Sequence, residues 1–125
     1  MDGFGHHRAE GELIRLYDRI TRILRRMPIP IELPPIPATP EAGYQPEKVV
    51  RACERAYEIL GDQPMDQLLR LGCREILAHW LAAREYLAGY PSSPADWRLR
   101  HATSTLIALD NICSWVLEHL RKAGQ

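Results

Sequence analysis

The sequence predicts an all-α protein, a helical bundle of about four helices whose first helix is separated by a long proline-rich extended strap. Apolar side chains recur at helical spacing in four segments. No run of alternating apolar and polar residues indicates a strand outside the proline-rich segment. Seven of the 10 prolines lie between Pro28 and Pro46, so they divide the chain into an N-terminal helix, a strap and a three-helix part.

The N-terminal part, residues 1–27, contains an amphipathic helix predicted over 8–27. Pro28 ends this helix because proline has no amide hydrogen and its ring collides with the preceding turn. The apolar positions that share one side of the helix are Leu13, Leu16, Tyr17, Ile20, Ile23, Leu24 and Met27.

The strap, residues 28–46, begins PIPIELPPIPATP and is expected to be extended or polyproline II. It is too apolar to remain in water, because it carries Ile29, Ile31, Leu33 and Ile36. We expect it to lie along a groove, either on its own bundle or on a neighbouring subunit. At about 3.1 Å per residue it spans on the order of 50 Å, which is enough for the first helix to dock on another copy.

Residues 47–125 form the three-helix part of a single bundle domain, with helices predicted over 47–60, 64–88 and 94–122. Pro46 stands where a first-turn proline is tolerated, and Gly61 and Gly89 end the first two of these helices. Ser93 followed by Asp96 predicts the start of the last helix, because such a pair satisfies first-turn amides.

Composition excludes several classes of protein. With 125 residues the chain fits one domain, and 46% hydrophobic with 26% charged residues is typical of a soluble globular protein. Sixteen basic residues balance 16 acidic ones, which excludes a uniformly basic surface. The three widely spaced cysteines, the absence of a secretory segment and the lack of an apolar run of about 20 residues predict a reduced, cytoplasmic protein.

Five arginines of the first helix fall within about 60° of one another, opposite the apolar side. This arginine ridge consists of Arg8, Arg15, Arg19, Arg22 and Arg26. It has the charge and spacing to meet a nucleic-acid backbone or an acidic protein surface, or else it is a solvated polar face. No aromatic residue interleaves with it, which favours backbone contact over base stacking.

The last helix carries a second apolar and aromatic stripe beside its core seam. We call this stripe the Trp/His flank, and its members are Trp97, His101, Ala108, Ile112, Trp115 and His119. Either the helix is covered on both sides within the bundle, or the flank is an interface with another subunit or partner. A metal held by both histidines is excluded, because His101 and His119 lie about 27 Å apart along one helix.

Arg74 and His79 resemble the R-x4-H pattern of HEPN-type ribonucleases, which are small helical proteins. The match covers the six residues 74–79, and Glu75 stands where a polar amide is expected. The resemblance implies weak catalytic candidates at Arg74 and His79 in a metal-independent ribonuclease. The alternative is that His79 pairs with Glu75 one turn earlier.

No phosphate-binding loop, zinc-hydrolase motif or serine-nucleophile motif occurs, and Cys53, Cys73 and Cys113 lie on the apolar sides of three helices. We therefore expect no cofactor, no metal and no enzymatic activity. The leading hypothesis is a non-enzymatic subunit or adaptor of a larger assembly, with a protein partner or a second copy bound through the strap, the Trp/His flank and the arginine ridge. The second is sequence-independent nucleic-acid backbone binding through that ridge within a nucleoprotein complex, and the third is the HEPN-like ribonuclease.

Overall fold

The computed structural model describes residues 3–27, 31–37 and 45–123 of the chain. Within these ranges all regular secondary structure is helical and no strand occurs, which confirms the all-α helical bundle. The four helices are α1 (Gly3–Arg25), α2 (Pro46–Gly61), α3 (Gln67–Gly89) and α4 (Asp96–Ala123). No helix in the described part of the chain is both long enough and apolar enough to cross a membrane.

The most extensive contact in the bundle is between α3 and α4, which pack antiparallel. At the start of α3, Gly72 lies against Trp115 and Val116 near the end of α4. At the other end, Gly89 lies against Arg98 in the first turn of α4. Since a glycine has no side chain, the two helices approach closely at Gly72, whereas Gly89 leaves room for the Arg98 guanidinium.

The helix α1 docks on both members of this pair, and α2 packs on α3. The Trp80 indole nitrogen in α3 donates a hydrogen bond of 2.9 Å to the Leu13 carbonyl oxygen in α1. Near the end of α1, the Met27 sulfur lies 3.6 Å from the Cys73 sulfur. The first helix therefore packs on its own chain.

The helix ends differ from the sequence prediction by a few residues, and local contacts explain the differences. The helix α1 begins at Gly3 and not near residue 8, because His6 stacks on Tyr90 with ring centroids 5.0 Å apart and holds the first turns in place. The helix α3 begins at Gln67 because the Asp66 carboxylate accepts a 3.0 Å hydrogen bond from the Leu69 amide. This N-cap satisfies one of the free amides of the first turn.

Residues 31–37 of the predicted strap form neither helix nor strand, whereas 28–30 and 38–44 lie outside the described residues. Ile31 and Leu33 are buried within the core of their own chain. The Tyr17 hydroxyl of α1 donates a hydrogen bond to the Pro34 carbonyl oxygen. These contacts fix residues 31–37 beside α1.

Alanine substitutions at two helical glycines test the close approach of α3 and α4. We expect Gly11→Ala to raise the free energy of unfolding by about 0.5–1 kcal/mol, because nothing lies within 4 Å of the added methyl group and alanine is the better helix former. At Gly72 the same methyl group would lie 2.8 Å from Val116 Cγ2 and 2.9 Å from Trp115 Cζ3. Gly72→Ala should therefore lower the free energy of unfolding, because overpacking costs about 1–3 kcal/mol.

Chemical denaturation of the two variants measures both effects. A gain in stability for Gly72→Ala equal to the gain for Gly11→Ala would contradict the tight packing at Gly72.

Candidate interaction surface

The Trp/His flank of α4 lies largely on the protein surface. Trp97 is 50% exposed and Trp115 is 44% exposed, although tryptophan is usually well covered in a folded domain. His101 is exposed, His119 is half-buried and Ile112 is partly buried against the core. The helix is contacted by α1 and α3, yet these contacts leave both tryptophans open to solvent.

At one end of the flank, Trp97 and His101 combine with Tyr86 of α3 in an aromatic cluster. The ring centroids of Tyr86 and His101 lie 5.5 Å apart in a stacked arrangement, and Trp97 meets both rings edge-on. The Arg98 guanidinium lies 4.7 Å from the centre of the Trp97 ring. The sequence pattern does not single out Tyr86, because this residue of α3 joins the cluster only through the antiparallel packing of α3 and α4.

At the other end, Trp115 stacks on His119 with ring centroids 5.2 Å apart and an interplanar angle of 20°. The His119 Nε2 atom lies 3.0 Å from the Asp66 Oδ2 atom, so the N-cap of α3 is joined to the end of α4. Leu68 and Leu71, on the same turn of α3 as Gly72, are 57% and 48% exposed. This end of the surface is therefore apolar across both helices.

The pKa of the Asp66 carboxyl is below its usual range. The main cause is the hydrogen bond that it accepts from the Leu69 amide, and the contact with His119 adds to the effect. Both contacts favour the ionised carboxylate.

The arginine ridge is divided among several carboxylate partners. Arg19 forms an ion pair with Asp110 of α4, and its other terminal nitrogen donates a 3.0 Å hydrogen bond to the Ser114 hydroxyl. Arg15 is shared between Glu12, at 2.9 Å, and Asp110, at 3.6 Å. The sequence pattern does not single out Asp110, which borders the core seam of α4 on the side that α1 covers.

The other ridge residues differ in their surroundings. Arg22 pairs with Asp18 at 2.8 Å, and Arg26 is exposed. Arg8 lines a cavity of about 350 Å³ between α1 and α4. Arg15 and Arg19 thus form a mixed-charge border between α1 and α4, whereas Arg22 and Arg26 are exposed.

Arg74 and His79 have separate partners. The Arg74 Nε atom donates a 3.1 Å hydrogen bond to the Tyr57 carbonyl oxygen, and its guanidinium lies 4.0 Å from the centre of the Tyr57 ring. His79 Nδ1 lies 2.8 Å from the Glu75 carbonyl oxygen and 3.4 Å from the Glu75 carboxylate. Arg74 therefore holds α2 against α3, while the partner of His79 is one turn earlier on its own helix.

The three thiols are buried and unpaired with one another. Burial raises the pKa of Cys53 and of Cys73 to about 12 and that of Cys113 to about 11. At neutral pH these groups are therefore protonated, a state in which a cysteine is a poor nucleophile and a poor metal ligand. Within residues 3–27, 31–37 and 45–123, no three His, Cys, Asp or Glu side chains are grouped closely enough to hold a metal ion.

No family model, curated protein or solved structure matches this chain.

The apolar residues of the strap have different positions. Ile31 and Leu33 are buried, Ile36 is partly buried against the core, and Ile29 lies outside the described residues. Among the described residues, most of the exposed large apolar side chains belong to α3 and α4, namely Leu68, Leu71, Trp97, Ile107 and Trp115.

A double-mutant cycle measures the contribution of the Arg19–Asp110 ion pair to the packing of α1 on α4. For Arg19→Ala and Asp110→Ala we expect a coupling energy of about 1 kcal/mol at low salt, because this pair joins two helices and Arg19 is mostly covered. The matched control is the exposed pair Arg100–Asp96 within α4, for which about 0.3 kcal/mol is expected. Equal coupling in the two cycles would contradict a role for Asp110 in docking α1.

The Asp66 cap predicts a pH dependence with a definite sign. Because the folded-state pKa is lowered, the contribution of the carboxylate is complete above the unfolded value of about 4 and is lost as the pH falls through the folded value. Asp66→Asn keeps a capping side chain without titrating, and Asp66→Ala removes the cap. At neutral pH we expect the alanine variant to have a lower melting temperature than the asparagine variant.

Urea denaturation at a series of pH values below 5 tests the titration. Any advantage of the wild type over Asp66→Asn should shrink as the pH falls, whereas a constant difference would show that the carboxylate charge contributes nothing.

Proposed function

We propose that this protein is a non-enzymatic helical subunit of a larger protein assembly and that it binds its partner through the surface formed by α3 and α4. The observation that supports this most is the exposure of Trp97 and Trp115 on one side of α4, with the exposed Leu68 and Leu71 of α3 at the Trp115 end. Tryptophan is enriched among the residues that dominate binding energy at protein interfaces. Neighbouring exposed apolar side chains are typical of surfaces that another protein covers.

The exposure of the Trp/His flank argues against its being a second side of α4 that is buried in the bundle core. That explanation requires a helix of the same chain on each side of the stripe, but the described helices cover α4 only on the sides of α1 and α3. Trp97 and Trp115 remain about half exposed after these contacts. A partner would bury both rings at little cost in side-chain entropy, because a tryptophan has only two rotatable bonds.

The strap and the arginine ridge have a smaller part in this proposal than the sequence indicated. Ile31 and Leu33 stabilise the chain's own core, so we assign the described part of the strap, residues 31–37, to bracing α1. Arg15, Arg19 and Arg22 have carboxylate neighbours that a nucleic-acid phosphate would have to displace. We therefore place protein binding ahead of nucleic-acid binding and of ribonuclease activity.

We place the assembly in the cytoplasm, a reducing compartment. Cys53, Cys73 and Cys113 are free and buried, which accords with a protein that does not depend on disulfide bonds.

The proposal predicts that introducing one charge on the α3–α4 surface dissociates the assembly. In extracts of cells that produce the protein, the wild type should elute well above its own 14.3 kDa in size-exclusion chromatography. Trp97→Asp should return it to the monomer position, because it places a charge in a buried contact and weakens binding at least about thirtyfold. The matched control is Ile59→Asp, an exposed apolar residue of α2 outside the surface, which should leave the elution unchanged.

A wild-type protein that elutes as a monomer at its natural abundance would overturn the proposal. If Trp97→Asp and Ile59→Asp dissociated the assembly equally, the partner would not bind specifically at the α3–α4 surface.

A further inference from the structure

The Trp/His flank contains the same pattern twice. Trp97 and His101 are four residues apart, and so are Trp115 and His119. The two pairs are separated by 18 residues, which is five turns of an α-helix, so they lie on the same side of α4. In both pairs the tryptophan lies within ring-contact distance of its histidine.

The repeat is also symmetric about Ala108. Trp97 precedes Ala108 by eleven residues and His119 follows it by eleven, while His101 precedes it by seven and Trp115 follows it by seven. In an interface between identical chains related by a two-fold axis, residue i meets residue j and residue j meets residue i. An antiparallel pair of α4 helices centred on Ala108 therefore brings every tryptophan opposite a histidine.

From this symmetry we propose that the partner on the α3–α4 surface is a second copy of this chain, with the two α4 helices antiparallel about a two-fold axis at Ala108. The inference rests on the proposed function and names its partner. Ala108 lies on the Trp/His flank itself and has a small side chain, which permits helix axes to approach to about 8 Å at the centre. The larger rings lie towards both ends, where they reach beyond the central contact.

Charges along one edge of α4 favour the antiparallel direction. The four charged residues on this edge are exposed and now pair locally, Arg100 with Asp96 and Arg121 with Glu118. In the antiparallel arrangement Arg100 comes opposite the partner's Glu118 at the border of the contact, because both residues lie about 90° round α4 from the centre of the flank. In a parallel arrangement about a two-fold axis, this edge would lie on opposite sides of the contact in the two copies, so Arg100 and Glu118 would not meet.

The available area is sufficient for a dimer. The 23 residues of α3 give a face about 35 Å long, and two helices side by side are about 20 Å wide. Their product is about 700 Å² per copy, close to the roughly 800 Å² per partner of a standard stable interface. At its ends the antiparallel arrangement also covers Leu68 and Leu71 with the partner's Trp97.

Sedimentation of the purified protein over a range of concentrations tests the second copy. The wild type should reach twice its 14.3 kDa mass. Ala108→Arg should weaken the dimer at least about thirtyfold, because the axis brings two identical charges together. The matched control is Ala88→Arg, the same substitution at an exposed alanine of α3 outside the paired region.

Disulfide formation under mild oxidation tests the direction of the helices. Ala108→Cys should crosslink to itself, because residue 108 lies on the axis. His101→Cys should not crosslink to itself, because its two copies are about 21 Å apart in this arrangement, but it should crosslink when mixed with Trp115→Cys. The three native thiols are buried, and Ala88→Cys controls for random collisions.

The outcomes separate this inference from the proposed function. A purified protein that stays monomeric while the assembly in cell extracts persists would overturn the second copy and leave the proposed function standing. A monomer in both settings would overturn both. A dimer that survives Ala108→Arg, or one in which His101→Cys crosslinks to itself, would overturn the antiparallel arrangement.

Discussion

The antiparallel contact between α3 and α4 determines the position of nearly every other feature of the molecule. At Gly72 the two backbones come close enough for the Trp115 ring to lie over α3. The same register brings His119 to Asp66 at one end and His101 to Tyr86 at the other. If α4 shifted along α3 by one turn, the contact between His119 and Asp66 and the stacking of His101 on Tyr86 would both be lost. The exposed surface is thus a direct product of helix register.

Arginine has an unusual share in joining the helices. Arg74 fixes α2 to α3 through the Tyr57 ring and carbonyl group, and Arg19 joins α1 to α4 through Asp110. Arg98 lies between Trp97 and Gly89 where α3 ends and α4 begins. A guanidinium suits these positions because it stacks on a ring and donates several hydrogen bonds at once, while its stem covers apolar surface. The arginine-rich composition is therefore partly a packing feature, and charge counting alone does not locate a binding site.

The sequence predicted the positions of the helices better than it predicted which segments pack against one another. Apolar spacing identified α1 to α4 because each helix buries one side, and that pattern is local. The start of α3 was placed three residues early because the Asp66 cap is recognised by a single hydrogen bond to the Leu69 amide. The apolar strap residues were expected to be covered, but whether their own chain or another covers Ile31 and Leu33 depends on tertiary docking, which spacing does not encode.

The candidate interaction surface could be predicted only in part, because the sequence pattern shows what one helix exposes but not which helix lies beside it. The flank was visible as an additional stripe on one helix, since its members share an angle on α4. Tyr86, Leu68 and Leu71 were not, because they join it only through the packing of α3. The arginine ridge was visible as a pattern, but its partner Asp110 lies 91 residues from Arg19.

The zero net charge of the chain affects how its exposed apolar surface can meet a second copy. With a formal net charge of zero, two copies of the chain meet no net long-range repulsion as they approach. Exposed tryptophan and leucine would then associate without a preferred direction unless local charges selected one. In the proposed dimer Arg100 and Glu118 supply that selection, because the antiparallel direction brings each of them opposite the other on the second copy. In the proposed dimer the zero net charge therefore raises no barrier to association, and the positions of Arg100 and Glu118 along α4 favour the antiparallel geometry.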